Sequence, residues 1–312
     1  GFSDPSKVHV YGYGGHRLSA TLDDSTPDDL PLQPVVRTAD GSIIFYGAGL
    51  VNWFSTSSAF GYAHHTNFYS TTATYFLSDR SDSDIAPKAI NPSIQAGAST
   101  VAEFTELLVH EQDIAAAGPS GADMLGEDFR TTSQRSFSFP LTDPVGDNVK
   151  FCTVFATNTS VRSKLTLSAS GSILSQKTLT LTSSSDRYVA MDYFVQTAPM
   201  PSEHKIDLTL KLTGAGVIKT ARLDYILAAY QRRLKLSDGI LQFRHKATGN
   251  QMLQVEGCSQ NTLIWDVTDP AAPCPVNYEL RGTTACFAPT SGSILRTYIA
   301  FNPASVKLAP AS

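Results

Sequence analysis

Lys205-Ile206-Asp207-Leu208-Thr209-Leu210-Lys211-Leu212 sets an apolar side chain at every second position, with charged or hydroxylated ones between. Side chains alternate faces along an extended chain, so this segment buries one face and wets the other, as a strand of a half-buried sheet does. Leu165, Leu167 and Ala169 alternate in the same way with Thr166 and Ser168, and Leu179 and Leu181 alternate with Thr178, Thr180 and Thr182. A series of such runs fills the chain from Arg135 to Tyr230, separated by Ser-Gly, Ser-Ser-Ser-Asp and Thr-Gly-Ala-Gly turn signals. Short strands at regular spacing predict a β-sandwich of jelly-roll type over residues 130–235. No internal repeat of fixed period accompanies it.

On either side the pattern loosens but stays β. Asp40-Gly-Ser-Ile-Ile-Phe-Tyr-Gly-Ala-Gly49 reads as an Asp-Gly turn feeding an aromatic strand that stops at a Gly-x-Gly. A long loop and a second aromatic strand, Tyr75-Phe-Leu77, follow. Val101 to Ile114 suits either element by composition, and the expectation is a strand followed by a short helical turn near Asp113 to Ala117. Leu241-Gln-Phe243, Leu253-Gln-Val255, Leu263-Ile-Trp265 and Tyr298-Ile-Ala-Phe301 read as strands of a third β unit. The expected fold is therefore all-β and multi-domain: a β-rich domain over 1–129, the sandwich over 130–235, and a β segment over 236–312. That last segment could complete the sheet begun by residues 8–77, and it ends in a linker of Pro and small residues. Gly1 reads as the middle of a module, so both ends look cut.

Composition bounds the function. The chain has 312 residues, enough for two or three β-rich domains. Hydrophobic content of 42% against 17% charge fits a folded globular chain. A net charge of -4 leaves no basic footprint for nucleic acid. The one tight basic cluster, Arg232-Arg233-x-Lys235, reads as a solvated strand end. No apolar run reaches the roughly 18 residues of a membrane helix, and no signal peptide is present.

Candidate chemistry is thin. His64 and His65 are adjacent, so on a strand they point to opposite faces and cannot share a metal. Asp79, Asp82 and Asp84 lack the Gly and Glu registers of a helix-loop-helix calcium site and read as a solvated acidic loop. Gly12-Tyr-Gly14-Gly15 and Gly47-Ala-Gly49 lack the third glycine and the helix of a dinucleotide site, and read as turn glycines. A Gly-x-Ser-x-Gly elbow and a Cys-x-x-Cys pair are both absent. Cys152 lies in a run apolar on both faces, as core filling. Cys258, with His245 upstream, is the least implausible nucleophile. Cys258, Cys274 and Cys286 could supply one disulfide in an exported protein, and all three pairings are open. No catalytic residue, metal or cofactor is expected.

Several landmarks in order carry a family resemblance. They are Val8-His-Val-Tyr-Gly12-Tyr-Gly14-Gly15 with Leu18, Asp28-Asp29-Leu30-Pro31, the Asp40–Gly49 stretch, and Trp53 with His64-His65-Thr-Asn67-Phe-Tyr69-Ser70. Further along come Gly121, Gly126-Glu127-Asp128-Phe129, Leu223-Asp224-Tyr225, Arg232-Arg233-Leu234, Trp265-Asp266-Val267-Thr268-Asp269-Pro270 and Tyr298-Ile-Ala-Phe301. The set resembles the non-catalytic N-terminal region of gingipain-like cysteine peptidases. Within that group it is most similar to the C-terminal-signal peptidase, or sortase, of the Bacteroidetes type IX secretion system. Met124-Leu125 departs from the family's aromatic residue before the Gly-Glu pair.

The resemblance implies a cell-surface, outer-membrane location on the extracellular face. The parent enzyme would remove C-terminal sorting domains from cargo, with its His and Cys in a later α/β domain that this sequence does not include. The fragment itself is expected to be inactive. Its implied partners are that peptidase domain, secretion-system components and cargo C-terminal domains; no nucleic acid or membrane-spanning segment is implied. Trp265, Asp266, Thr268, Tyr298 and Phe301 are expected to brace the peptidase domain, against the alternative that Trp265 fills the core of a split β-domain. The competing reading is a free-standing surface module that binds glycan or protein through its sandwich.

Overall fold

The structure is a computed structural model that describes residues 2, 4–15, 17, 21, 29–67, 69–79, 83–119, 123–183, 185–214 and 217–306. Leu18, Asp28, Phe68, Asp82, Gly121 and the 307–312 tail of the sequence reading lie outside the described residues. The fold is all-β, with several small sheets and only short 3₁₀ turns, Pro5–Lys7 and Pro303–Ser305, among the described residues. The chain divides into two compact units. One takes in residues 105–233 and Ser58–Phe60; the other takes in 1–57, 61–104 and 234–312.

The first unit is a sandwich of two four-stranded sheets. Its strands are β1 (Glu103–Glu111), β2 (Gln134–Pro140), β3 (Pro144–Thr159), β4 (Ser163–Ala169), β5 (Ser172–Thr178), β6 (Ala190–Pro199), β7 (Lys205–Gly214) and β8 (Ile218–Arg233). One sheet has the order β2-β7-β4-β5 and the other β6-β3-β8-β1. Successive strands alternate between the sheets except at the β4-β5 hairpin, so that β1 neighbours β8, β2 neighbours β7 and β3 neighbours β6, which is the jelly-roll order. The alternating stretch of β7 behaves as its pattern demands: Ile206, Leu208, Leu210 and Leu212 are buried, while Asp207 and Lys211 face solvent. They meet Phe129, Phe137, Phe139, Phe151, Phe155 and Phe194 in one apolar core. Phe129 packs edge-on to Phe155 at 5.1 Å, and Phe139 to Phe151 at 5.7 Å.

Three local readings need correction. Leu179 is buried but Leu181 is 51% exposed, because β5 stops at Thr178. There the Thr180 backbone N–H and hydroxyl both donate to the buried Asp192 carboxylate, which takes the donors a ladder would use. The expected helical turn near Asp113 is instead a short hairpin, Ala115–Ala116 paired with Met124–Leu125. Ile114 N–H donates to Leu125 O and Ala117 N–H to Asp123 O, so the amides a helix needs are already committed. Arg232 is not a solvated strand end: its guanidinium donates to Glu106 Oε2 at 2.6 Å, and both side chains are largely buried. Cys152 is buried, as its apolar run implies, on the opposite face of β3 from Phe151.

In the second unit, the hairpin Val36–Arg37 with Ile43–Ile44 turns at Asp40-Gly41, where Thr38 N–H donates to Ser42 O and the Asp40 carboxylate accepts from the Thr38 hydroxyl and Ser42 N–H. The strand pairing is shorter than the aromatic run suggested. A further hairpin forms from Val51–Ser55 with Tyr62–Thr66, and His9–Gly14 pairs antiparallel with the sequence-distant Thr74–Ser78. The C-terminal segment builds two four-stranded sheets. One runs in the order Ile240–His245, Arg296–Phe301, Leu263–Asp266, Cys274–Pro275. The other runs Glu279–Arg281, Thr284–Phe287, Gln251–Glu256, Ser99–Val101, with the last strand parallel to its neighbour. Leu241, Phe243, Leu253, Val255, Phe287 and Tyr298 share the core between them.

Candidate functional site

The five residues singled out around Trp265 lie together. Trp265 and Asp266 end the strand Leu263–Asp266, whose neighbour Arg296–Phe301 sets Trp265 opposite Ile299 and Asp266 opposite Tyr298. Trp265 is 2% exposed and meets Phe301 edge-on at 5.2 Å, in a cluster with Ile44 and Val267. Tyr298 points to the other side of the sheet, stacked on Phe243 at 5.3 Å and edge-on to Phe287 at 5.7 Å. Asp266 is also buried. Its Oδ2 accepts from Arg296 at 2.9 Å and its Oδ1 from Thr268 N–H and hydroxyl. Thr268 Oγ1 accepts in turn from Thr297 N–H at 3.1 Å, and the turn that follows closes through Ala272 N–H to Asp269 O. The side chains knit this end of the sheet to itself.

The candidate nucleophile is poorly placed for chemistry. Cys258 is buried in the same core as Phe287, and burial raises its thiol pKa. His245 bonds Gln251 Oε1 at 3.0 Å, and burial lowers its pKa. All four cysteines are free thiols. Burial raises Cys274 and Cys286 as well, Cys274 with added repulsion from Asp266 and Asp269, and pushes Cys152 up to about 11. A protonated thiol is a weak nucleophile and a poor metal ligand.

His64 and His65 do point apart: His64 lies against Trp53 at 5.4 Å and His65 against Phe54 at 4.8 Å. Asp84 departs from the solvated-loop reading. Its carboxylate accepts from Arg37 Nε and Nη2 at 2.6 and 3.0 Å, holding it below the usual carboxylate range, and it lies 3.0 Å from the buried His9. Among the described residues, no group of three or more potential ligands could hold a metal.

Two open clefts of about 440 and 450 Å³ flank Asn91-Pro92-Ser93. A third cavity, about 390 Å³, is the one whose described lining carries a cation, and the sequence reading missed it. Its floor is the polar face of Ile240–His245, where Gln242 and Arg244 alternate with the buried Leu241 and Phe243. Thr297 lies opposite Arg244 on the neighbouring strand. Its wall is the chain from Tyr46 to Trp53. That wall is fixed from behind: Ala48 N–H donates to Tyr75 Oη at 2.9 Å, Gly15 N–H to Ala48 O at 2.9 Å, and Asn67 N–H to Leu50 O at 3.1 Å. A Cβ on Gly15 would stand 2.7 Å from the Gly49 carbonyl, so this approach requires glycine. The Arg244 guanidinium lies over the Trp53 ring, 5.9 Å from its centroid.

No protein-family model matches the chain, and no curated protein matches it in sequence. Among solved structures, dimeric latent PorU from Porphyromonas gingivalis superposes with a TM-score of 0.85 over 97% of this chain, at 24% identity. The chain shares its fold with part of PorU. It spans 30% of that PorU chain's length. A Paenibacillus xanthan lyase (13% identity, 82% of this chain, 29% of that one) and an infectious bursal disease virus particle protein (11%, 80% and 53%) reach TM-scores of only 0.24. Among the described residues, no helix is long and apolar enough to cross a membrane.

Proposed function

We propose that the chain is the non-catalytic accessory region of a PorU-like, gingipain-type cysteine peptidase or sortase of a type IX secretion system, working on the extracellular face of an outer membrane. The observation that carries this reading is the near-complete superposition on part of PorU. Supporting it, Cys152, Cys258 and Cys286 are buried, burial raises the pKa of all four thiols, and His245 is bonded to Gln251. In this reading the jelly roll and the second unit position a peptidase domain that follows in the parent chain, or hold cargo and translocon partners. Bracing by the Trp265 segment then acts through the stiffness of its sheet, since Trp265, Asp266, Tyr298 and Phe301 are buried within their own unit.

The coding sequence beyond Ser312 tests the proposal. A following α/β domain with a His and then a Cys at strand ends is the expected result. A stop codon there would sink the reading and favour a free-standing binding module. The purified chain should also show no thiol-dependent hydrolysis of peptide substrates; turnover abolished by Cys258→Ser would contradict the assignment.

A further inference from the structure

We propose that the free edge of β6 takes up an extended peptide of another protein as an added strand, one whose outward row is apolar and whose inward row carries a carboxylate. The inference rests on this edge and is independent of the function proposed above. β6 ends its sheet and, among the described residues, pairs with β3 alone. Its register runs from Asn148–Pro199 to Thr157–Ala190 without a break, so no bulge twists the edge away. Every second main-chain N–H and C=O therefore points away from β3, which is the template that strand addition uses. Folded proteins guard such edges with charge, proline or bulges. The other sandwich edges show these devices: β1 carries Glu103, Glu106 and Glu111, β2 carries Arg135 and ends in Pro140, and the β5 ladder slips at Leu167/Ser168. β6 has proline only at its last position, and its one charge, Asp192, is buried and bonded to Thr180. Its outward row is Met191, Tyr193, Val195 and Thr197, with Tyr193 59% and Val195 36% exposed.

Water hydrates this edge until a strand arrives, so main-chain bonds alone give little net affinity. Apolar side chains set against Tyr193 and Val195 supply the rest, as cross-strand pairs do within a sheet. The inward row fixes the sign of the partner. Phe194 is buried on that face, and the Lys177 ammonium of β5 lies 5.3 Å from its ring centroid, without a hydrogen bond or ion pair to another described residue. An added strand sets one side chain opposite Phe194, beside that ammonium, where a carboxylate is favoured and a cation is not. The contact is exposed, so it governs preference more than affinity. The same cation argues against a second copy of the chain as the occupant. A two-fold register centred on Phe194 is the one that sets Tyr193 opposite Val195 of the copy, and it would bring two Lys177 ammoniums together.

Fluorescence anisotropy of a dye-labelled, terminally blocked peptide, Thr-Val-Thr-Val-Glu-Val-Thr-Val-Thr, titrated with the 312-residue chain tests the assignment. Saturable binding in the micromolar range is expected. The fully N-methylated peptide keeps every side chain but has no main-chain donors, and should bind more weakly by about tenfold or more. A peptide with Lys in place of Glu should bind a few-fold more weakly, and Lys177→Glu should invert that order. Tyr193→Lys and Val195→Lys alter exposed positions, so circular dichroism and the melting midpoint should hold while binding of the Glu peptide falls by about tenfold or more. Absence of saturable binding, equal binding of the N-methylated peptide, equal binding of the Glu and Lys peptides, or parent affinity in both Lys variants would each overturn the proposal. A dimer in sedimentation velocity that Val195→Lys dissolves would overturn it too, by giving the edge to a second copy.

Discussion

Replacing Trp265 by Ala tests what holds the C-terminal sheet together. The indole is 2% exposed and its neighbours are themselves buried: Phe301 at 4%, Val267 at 3% and Ile44 at 7%. Truncating a buried Trp or Phe to Ala costs about 3–5 kcal/mol, because transferred area and the residual cavity both count. The edge-on contact with Phe301 contributes about 0.5–1.5 kcal/mol of that. At about 1.4 kcal/mol per factor of ten, the loss amounts to roughly two to nearly four orders of magnitude in the opening equilibrium. Native-state hydrogen exchange read by mass spectrometry resolves it. Peptides over Ile240–His245 and Arg296–Phe301 should lose protection by that factor, up to the limit set by the unit's own stability. Trp265→Phe should recover part of the loss by keeping an aromatic edge against Phe301. A drop in protection of less than about tenfold in Trp265→Ala would refute the packing argument, since it corresponds to under about 1.4 kcal/mol. The indole would then be free to serve an external surface.

Leu208→Asp places a carboxylate at a fully buried position of β7, a cost of several kcal/mol, and should abolish the sandwich's cooperative unfolding transition in circular dichroism; a retained transition would contradict the core assignment. A fragment covering residues 103–233 should melt cooperatively with a β spectrum, and one covering 130–235 should melt lower, because it lacks edge strand β1 and the fully buried Phe129; equal midpoints would show that neither contributes. Burial raises the Cys152 thiol from 9.0 to about 11. Its contribution to stability is therefore complete below the unfolded value near 9 and is lost as pH rises through about 11. Urea midpoints of Cys152→Ser should fall less steeply across that window than those of the parent, and parallel curves would remove the thiol from the account.

The sandwich was legible because its pattern is local: period-two burial in Ile206 to Leu212 and Leu165 to Ala169 can be read without knowing what packs opposite. The misreadings share the opposite property. Leu181 fails as a strand position because Asp192, on another strand, captures the Thr180 donors. Arg232 and Asp84 read as solvated charges because nothing nearby in sequence announces Glu106 or Arg37 as their partners. The hairpin at Ala115–Ala116 competes with a helical turn on composition alone, and its partner strand Met124–Leu125 decides the matter.

The cavity was hidden for the same reason, yet half of its construction was written in the glycines. Gly12-Tyr-Gly14-Gly15 and Gly47-Ala-Gly49 each read separately as turn glycines; Gly12 and Gly14 do take positive φ, whereas Gly47 and Gly49 lie in extended chain with no turn. Gly14 has φ +76°, and a Cβ there would stand 2.8 Å from Ala48 Cβ. Gly15 needs its missing Cβ because Gly49 passes against it. The two motifs are one backbone-to-backbone contact, and that contact fixes the Tyr46–Trp53 segment in front of the polar face of Ile240–His245. On that strand Gln242 and Arg244 have the ordinary look of solvent-facing positions. Only the wall, delivered from the other end of the sequence, places this arginine over a tryptophan at the edge of a cavity. Periodicity reports which face of a strand is polar; it carries no information about whether that face meets bulk water or a cavity, and in this unit the difference is set by where Gly14 and Gly15 allow the backbone to pass.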